Sequence, residues 1–83
     1  MNTIKYDPET DAAYLKVQDG HYIESEEISD GVILDYDEND NVIAVEFLGV
    51  STLSPSHWQK LQSQLPAVAY GQLQAFFANP IHA

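Results

Sequence analysis

Apolar and polar residues alternate through the first half of this 83-residue chain, and that pattern limits the folds open to it. Because successive side chains of a strand point to opposite faces, a period of two predicts strands that each bury one face. The last two predicted strands are the most apolar, and each is bounded by polar turn residues. The five predicted strands span residues 3–6, 13–17, 22–28, 32–36 and 42–47.

Short polar segments join these strands. Asp19-Gly20 predicts a tight hairpin, because a type I′ turn needs a positive φ that Gly accepts without strain. Asp30-Gly31 predicts the next turn, and residues 37–41 join the last two strands. With each strand turning back beside the one before it, the simplest sheet is a five-stranded antiparallel meander.

The pattern changes after Gly49 from a period of two to a helical spacing. Ser54-Pro55 is typical of a helix N-cap followed by Pro at the first helical position, where its missing N–H costs nothing. Trp58, Leu61 and Leu65 follow at three- and four-residue intervals, which predicts one apolar helical face. Pro66 ends this helix or begins a second, less regular one.

These elements predict an α+β fold, in which one or two C-terminal helices pack on one face of the antiparallel meander. We expect a single domain over residues 1–83, with an acidic β-sheet half (1–50) and a helical C-terminal segment (51–83). Lys5, Lys16, Asp35 and Glu46 would point to water on the uncovered face. The residues predicted to point inward are Ile4, Tyr6, Leu15, Val17, Val32, Leu34, Tyr36, Ile43, Val45 and Phe47.

Negative charge is concentrated in the sheet half of the chain. All thirteen acidic residues lie in residues 7–46, and the whole chain carries −10. Because this charge repels phosphate backbones and three lysines make no basic stripe, direct binding to nucleic acid is excluded. The charge favours a basic protein partner instead. The residues predicted to contact that partner are Glu24, Glu26, Glu27, Asp37, Glu38 and Asp40.

The C-terminal segment is nearly neutral and bears aromatic residues that predict a second kind of contact. Trp58, Phe76 and Phe77 exceed what one face of a small sheet covers, so we expect them in a homo-oligomer contact. The chain has no cysteine, no apolar leader and no apolar run of about 20 residues. We therefore expect a cytoplasmic protein without membrane contact.

Residues that could carry chemistry do not form a recognisable motif. No serine lies in a Gly-x-Ser-x-Gly sequence, and the three histidines show no metal-ligand spacing. We therefore predict neither a catalytic residue nor a cofactor. Asp35, Asp37, Asn39 and Glu46 match positions 1, 3, 5 and 12 of a calcium-binding loop, but Asp40 occupies the position that requires Gly. A carboxylate-based site for a divalent cation stays an alternative.

Three segments together resemble the bacterial domain-of-unknown-function 2283 family. They are residues 6–15 (YDPETDAAYL), 26–37 (EEISDGVILDYD) and 42–48 (VIAVEFL), so the resemblance covers about residues 3–50. It implies a compact β-rich fold without an established catalytic residue. Some relatives are thought to be encoded beside small toxin-like proteins, which implies an antitoxin-like role. This chain departs from the family in its C-terminal extension and in Asp40, where many relatives have Gly.

Taken together, these observations predict a non-enzymatic protein-interaction module that is antitoxin-like toward a basic partner. The first alternative is a homo-oligomeric structural protein that uses the aromatic C-terminal segment. The second is the divalent-cation binder.

Overall fold

In the computed structural model, which describes residues 3–78, one antiparallel sheet of five strands carries two helices on one face. A short 3-10 turn, Val50–Thr52, joins the sheet to the helices. The predicted α+β class, the five antiparallel strands and the C-terminal helices are confirmed. The elements are β1 (Thr3–Asp7), β2 (Ala12–Lys16), β3 (Glu24–Ser29), β4 (Val32–Tyr36), β5 (Val42–Leu48), α1 (Pro55–Gln64) and α2 (Ala67–Ala78).

The order of strands across the sheet is β1-β2-β5-β4-β3, which differs from a simple meander. The last strand, β5, lies between β2 and β4 and pairs antiparallel with both. This position suits β5 because β5 is largely apolar. A central strand has both of its backbone edges paired and its side chains shielded by neighbours on each side. The edges of the sheet are β1 and β3.

The predicted hairpin at Asp19-Gly20 is wrong. The strands β2 and β3 do not pair, and the segment between them passes to the far edge of the sheet. Gly20 does not have a positive φ, so it makes no type I′ turn. It instead permits a close approach of chain segments, because a Cβ there would lie 2.7 Å from Cγ2 of Ile43.

The turns on either side of β4 are hairpins, as predicted. Gly31 has a φ of 78° between β3 and β4, a conformation that favours glycine. Asp40 has a φ of 62° between β4 and β5. Asp is one of the few other residues that enter the left-handed region readily, which explains how Asp40 occupies a position where a Gly is expected.

The core lies between the sheet and the helices. Most residues predicted to point inward are buried there, while Ile4, Tyr6 and Tyr36 pack half-buried against it. Ile43 is buried but lies outside this cluster, beside Gly20. The core consists of Ala13, Leu15, Val17, Val32, Leu34, Val45, Phe47, Leu61, Leu65, Ala69 and Leu73.

The two helices cover the sheet with apolar residues at helical spacing. Ser54 is the N-cap of α1 and Pro55 its first residue, so the predicted start of the helix is confirmed. Pro66 lies between the helices, and the break it imposes lets α2 begin at Ala67. Within residues 3–78, no helix has the length and apolarity needed to cross a membrane.

Candidate functional site

The edge strand β3 carries half of the predicted partner-binding residues. Glu24, Glu26 and Glu27 are all exposed. Glu24 pairs with Tyr36 and Glu26 with Leu34, so both lie on the helix side, while Glu27 lies on the other side. An edge strand leaves one row of backbone N–H and C=O groups unpaired, so charge and hydrogen-bonding groups occur together here. We call Glu24, Glu26 and Glu27, with the nearby turn residues Glu38 and Asp40, the acidic edge.

A shallow groove of about 310 Å³ runs along the acidic edge, with Tyr36 in its wall. Glu24, Glu26 and Asp40 line the same groove, so the fold brings Asp40 beside two carboxylates of β3 that are distant from it in sequence. The Tyr36 hydroxyl donates to Oε1 of Glu26 at 3.3 Å. Burial raises the pKa of Tyr36, and the charges of these three carboxylates raise it further. Tyr36 therefore remains a hydrogen-bond donor at neutral pH.

Asp37 has a structural role in the turn between β4 and β5. Its side chain is 8% exposed, and Oδ1 accepts hydrogen bonds from the backbone N–H groups of Asn39 at 2.8 Å and Asn41 at 2.9 Å. The N–H of Asn41 is the main cause of the lowered pKa of Asp37. Because its carboxylate is used within the turn, we leave Asp37 out of the acidic edge, whereas the neighbouring Glu38 is exposed.

The three aromatic residues predicted to make an oligomer contact lie together in the helical layer. The ring of Phe77 meets Trp58 edge-on at 5.7 Å, Phe76 at 5.0 Å and Phe47 of the sheet at 5.5 Å. Trp58 and Phe77 pack half-buried against the core. Much of their apolar surface is therefore used within the chain, and Phe76 is also half-buried.

The opposite face of the sheet holds a pair of carboxyl groups, Asp35 and Glu46. Asp35 is only 5% exposed, so the prediction that it points to water is wrong. It accepts a hydrogen bond from Oγ of Ser25 at 2.6 Å. A hydrogen bond with Asp35, together with burial and the charge of Asp35, raises the pKa of Glu46 to about 7. Because a bond between two carboxyl groups needs a proton, Glu46 holds one below that pH.

Sequence reasoning missed the carboxyl pair because strand register creates it. Ser25 lies beside Asp35 on one side and Ala44 lies beside it on the other. Glu46 is two residues along β5 from Ala44 and so is a diagonal neighbour of Asp35. The calcium-loop spacing contains both Asp35 and Glu46, but it does not indicate that they form a hydrogen-bonded pair across two strands. Only the pairing of β4 with β5 would have revealed them.

The calcium-loop pattern is not realised as a loop. Asp35 pairs with Glu46 across two strands, whereas Asp37 holds the turn. Oxygen ligands for a hard cation must converge on one point. In the part of the chain that the structure describes, no group of three or more His, Cys, Asp or Glu residues could hold a metal ion.

His57 joins α1 to the sheet. Its Nδ1 accepts the N–H of Ser54 at 3.1 Å, so the ring proton lies on Nε2, which donates to the carbonyl of Asp30 at 3.0 Å. The hydroxyl of Ser54 is also 2.7 Å from Nδ1. The predicted capping role of Ser54 is confirmed, and His57 shares it. His21 is exposed, and His82 lies outside the described residues.

The fold and these clusters define a small acidic α+β protein with one sheet and one helical layer. The family model described as "Protein of unknown function (DUF2283)" matches residues 3–51, which is more than half of the chain, so the chain belongs to this family. The resemblance inferred from the three segments is thereby confirmed. The match ends before α1, so both helices lie outside it. No curated protein and no solved structure matches the chain.

Proposed function

We propose that this protein is a non-enzymatic protein-interaction module whose acidic edge binds a basic protein partner. The observation that carries the proposal is the exposure of Glu24, Glu26 and Glu27 on a strand whose outer backbone edge is unpaired among the described strands. A strand added to this edge would gain backbone hydrogen bonds, as in β-augmentation. Lys or Arg side chains on that strand would meet the carboxylates.

The charge of the molecule supports the same partner chemistry. A net charge of −10 attracts a basic protein over long range and mainly raises the association rate. The groove beside Tyr36 adds specificity, since its hydroxyl and three carboxylates can accept several cationic donors. We expect binding that weakens as salt is added, because exposed charges are screened over about 8–10 Å at physiological ionic strength.

The antitoxin-like role is the specific form of this proposal that the family resemblance favours. If the partner is an RNA-binding toxin, the acidic edge would occupy the Lys and Arg surface that contacts phosphate. The toxin would then be inhibited by competition for that surface. Its inhibition would be lost together with binding when the carboxylates of the acidic edge are neutralised.

A charge-matched pair of variants tests the acidic edge. The double variant Glu24→Gln/Glu26→Gln removes two charges from it, and the control Glu9→Gln/Asp19→Asn removes two exposed charges elsewhere. At low salt, pull-down of a basic partner from extract should fail for the first variant and succeed for the control. At high salt, the control should lose the partner as well. A partner retained equally by both variants and at both salt concentrations would refute the proposal.

The homo-oligomer through Trp58, Phe76 and Phe77 stays a prediction, as does the divalent-cation binder. The packing of Trp58 and Phe77 against the core leaves Phe76 as the best residue to test. Sedimentation of the full chain and of Phe76→Ser would reveal an oligomer that depends on this segment. Calorimetry with Ca²⁺ tests the cation binder.

A further inference from the structure

The sheet has one face that neither α1 nor α2 covers, which we call the open face. It presents side chains from all five strands, including Tyr14, Ile33, Glu46 and Leu48. Tyr14 is 41% exposed and Leu48 is 58% exposed. A sheet that leaves such residues uncovered offers an apolar contact surface.

The lysines and Glu27 lie on opposite sides of the open face. Lys5 on β1 and Lys16 on β2, with the exposed Asp7 of β1, lie on one side of β5. The exposed Glu27 on β3 lies on the other side, where Asp35 on β4 is buried. Lys16 has a surface ion pair with Asp19, but Asp19 is 93% exposed, so this pair is readily exchanged for another.

We infer that the open face is a symmetric contact between two copies of this chain. A two-fold axis parallel to β5 and lying between the two sheets would place Lys5 and Lys16 of each copy over the side of the other copy that carries Glu27. An axis perpendicular to the strands would set lysine over lysine, so charge selects the first arrangement. Such a contact is isologous and therefore closes as a dimer.

Strand register gives the contacts that this axis makes. Lys5, Tyr14, Glu46, Ile33 and Glu27 lie in one row across the sheet, in that order. Reversing the row about β5 sets Lys5 opposite Glu27 of the second copy and Tyr14 opposite Ile33 of the second copy. Both pairs are chemically complementary, and each occurs twice in the dimer.

The remaining residues near the axis fit the same arrangement. Leu48 would meet Leu48 of the second copy. Two Glu46 side chains meet at the axis, where a proton held near neutral pH by the hydrogen bond to Asp35 reduces their repulsion. Five strands span only about 24 Å, so the contact area of one sheet face is small for a stable interface. We therefore expect the dimer to form at protein concentrations of about tens to hundreds of micromolar.

Charge exchange between Lys5 and Glu27 tests the contact. Lys5→Glu and Glu27→Lys should each weaken dimerisation about tenfold, because each sets like charges opposite each other twice per dimer. The double variant Lys5→Glu/Glu27→Lys should recover the affinity of the original chain to within about threefold. Compensation within one copy is excluded, because the two residues are four strand spacings, or about 19 Å, apart. Sedimentation over a wide concentration range measures all three.

A matched control changes the charge of Lys60, an exposed residue of α1, and Lys60→Glu should dimerise like the original chain. Circular dichroism establishes that each variant is folded. Glu27→Lys also loses the hydrogen bond that the N–H of Gly31 donates to Glu27. Leu48→Asp is therefore a second variant, which should abolish the dimer while leaving that hydrogen bond intact. A chain that is monomeric throughout, or a dimer that Lys5→Glu and Leu48→Asp leave unchanged, overturns the inference. Lys5→Glu and Leu48→Asp lie outside the acidic edge, and the partner-test variants Glu24→Gln/Glu26→Gln lie on the helix side, so the two tests can fail separately.

Discussion

The two faces of the sheet are stabilised in different ways. The helix-covered face is dry and apolar, with Leu15, Leu34 and Val45 fully buried. The open face buries Ala44 and Asp35 among neighbouring side chains without a helix above them. One face therefore depends on apolar area removed from water, and the other depends on hydrogen bonds and on protonation. The comparison shows that a side chain in a thin domain can be buried by its neighbours on the sheet, without a helix above it.

The largest effect should come from the covered face. Leu73 of α2 is fully buried, and Leu73→Ala should lower the free energy of unfolding by about 2–5 kcal/mol through lost apolar contact and a cavity. Val68 of the same helix is 72% exposed, so Val68→Ala should change it by less than about 0.5 kcal/mol. Urea denaturation measures both. Equal effects would show that α2 does not cover the sheet.

The open face should make stability depend on pH near neutrality. The pKa of Glu46 is raised to about 7 in the folded protein, so the folded state holds a proton that the unfolded state has released. Stability from this group is therefore full below about pH 4.5 and is lost as pH rises through 7. After discounting for solvent screening, we expect a loss of about 1–2 kcal/mol.

Glu46→Gln isolates this contribution. The amide donates to Asp35 at any pH, so the variant should lose the decline between pH 5 and 8, while the control Glu9→Gln should keep it. Asp11 and Asp37 act in the opposite direction. Ser51 and Asn41, respectively, are the main hydrogen-bond donors that lower their pKa values, so their contribution is lost below about pH 4. Maximal stability should lie near pH 4–5, and a maximum above pH 7 would contradict the assignment.

A smaller effect is expected from the partner of Asp35. Ser25→Ala removes the hydrogen bond to this buried carboxyl and should cost about 1 kcal/mol. Ser63→Ala makes the same chemical change at an exposed serine of α1, whose hydroxyl bonds only a helical carbonyl, and should be nearly neutral. Thermal unfolding compares the two. If the two variants lose the same amount of stability, Ser25 does not support the carboxyl pair.

The smallest expected effect is at the joint between the two halves of the molecule. His57→Ala removes both the capping contact with Ser54 and the bond to the Asp30 carbonyl, and should cost about 0.5–1 kcal/mol. The control is His21→Ala, which changes an exposed histidine. Hydrogen exchange should show faster opening of α1 in the first variant alone.

Sequence patterns predicted most strands and helices but not their arrangement. Alternation placed Leu15, Leu34 and Phe47 correctly on one buried face, because the period of two is a local property of a strand. The local turn signal at Asp19-Gly20 predicted a hairpin, yet Gly20 serves a close approach to Ile43. An Asp-Gly dipeptide fits a hairpin turn or a close approach between chain segments equally well. Only the long-range pairing of strands distinguishes these two roles.

The candidate sites divide in the same way. The exposure of Glu24 and Glu26 could be recognised from the sequence, because carboxylates that fill a short strand stay in water unless cationic partners accompany them. The use of Asp37 within its turn did not emerge from the sequence, although Asp at such a position often accepts nearby backbone N–H groups. For the aromatic residues of the C-terminal segment, composition suggested an outside contact, whereas the fold packs Phe77 on Phe47.

The sequence by itself determined the five strands, the presence of a C-terminal helix and its start, and the accumulation of negative charge in the sheet half. These are consequences of side-chain periodicity, capping chemistry and composition, all of which act over a few residues. Tertiary structure alone decided that β5 lies at the centre of the sheet, that Asp35 meets Glu46, and that three carboxylates surround Tyr36. Each of these depends on which strands pair and in what register, and pairing is set by the burial of the whole core rather than by any local segment.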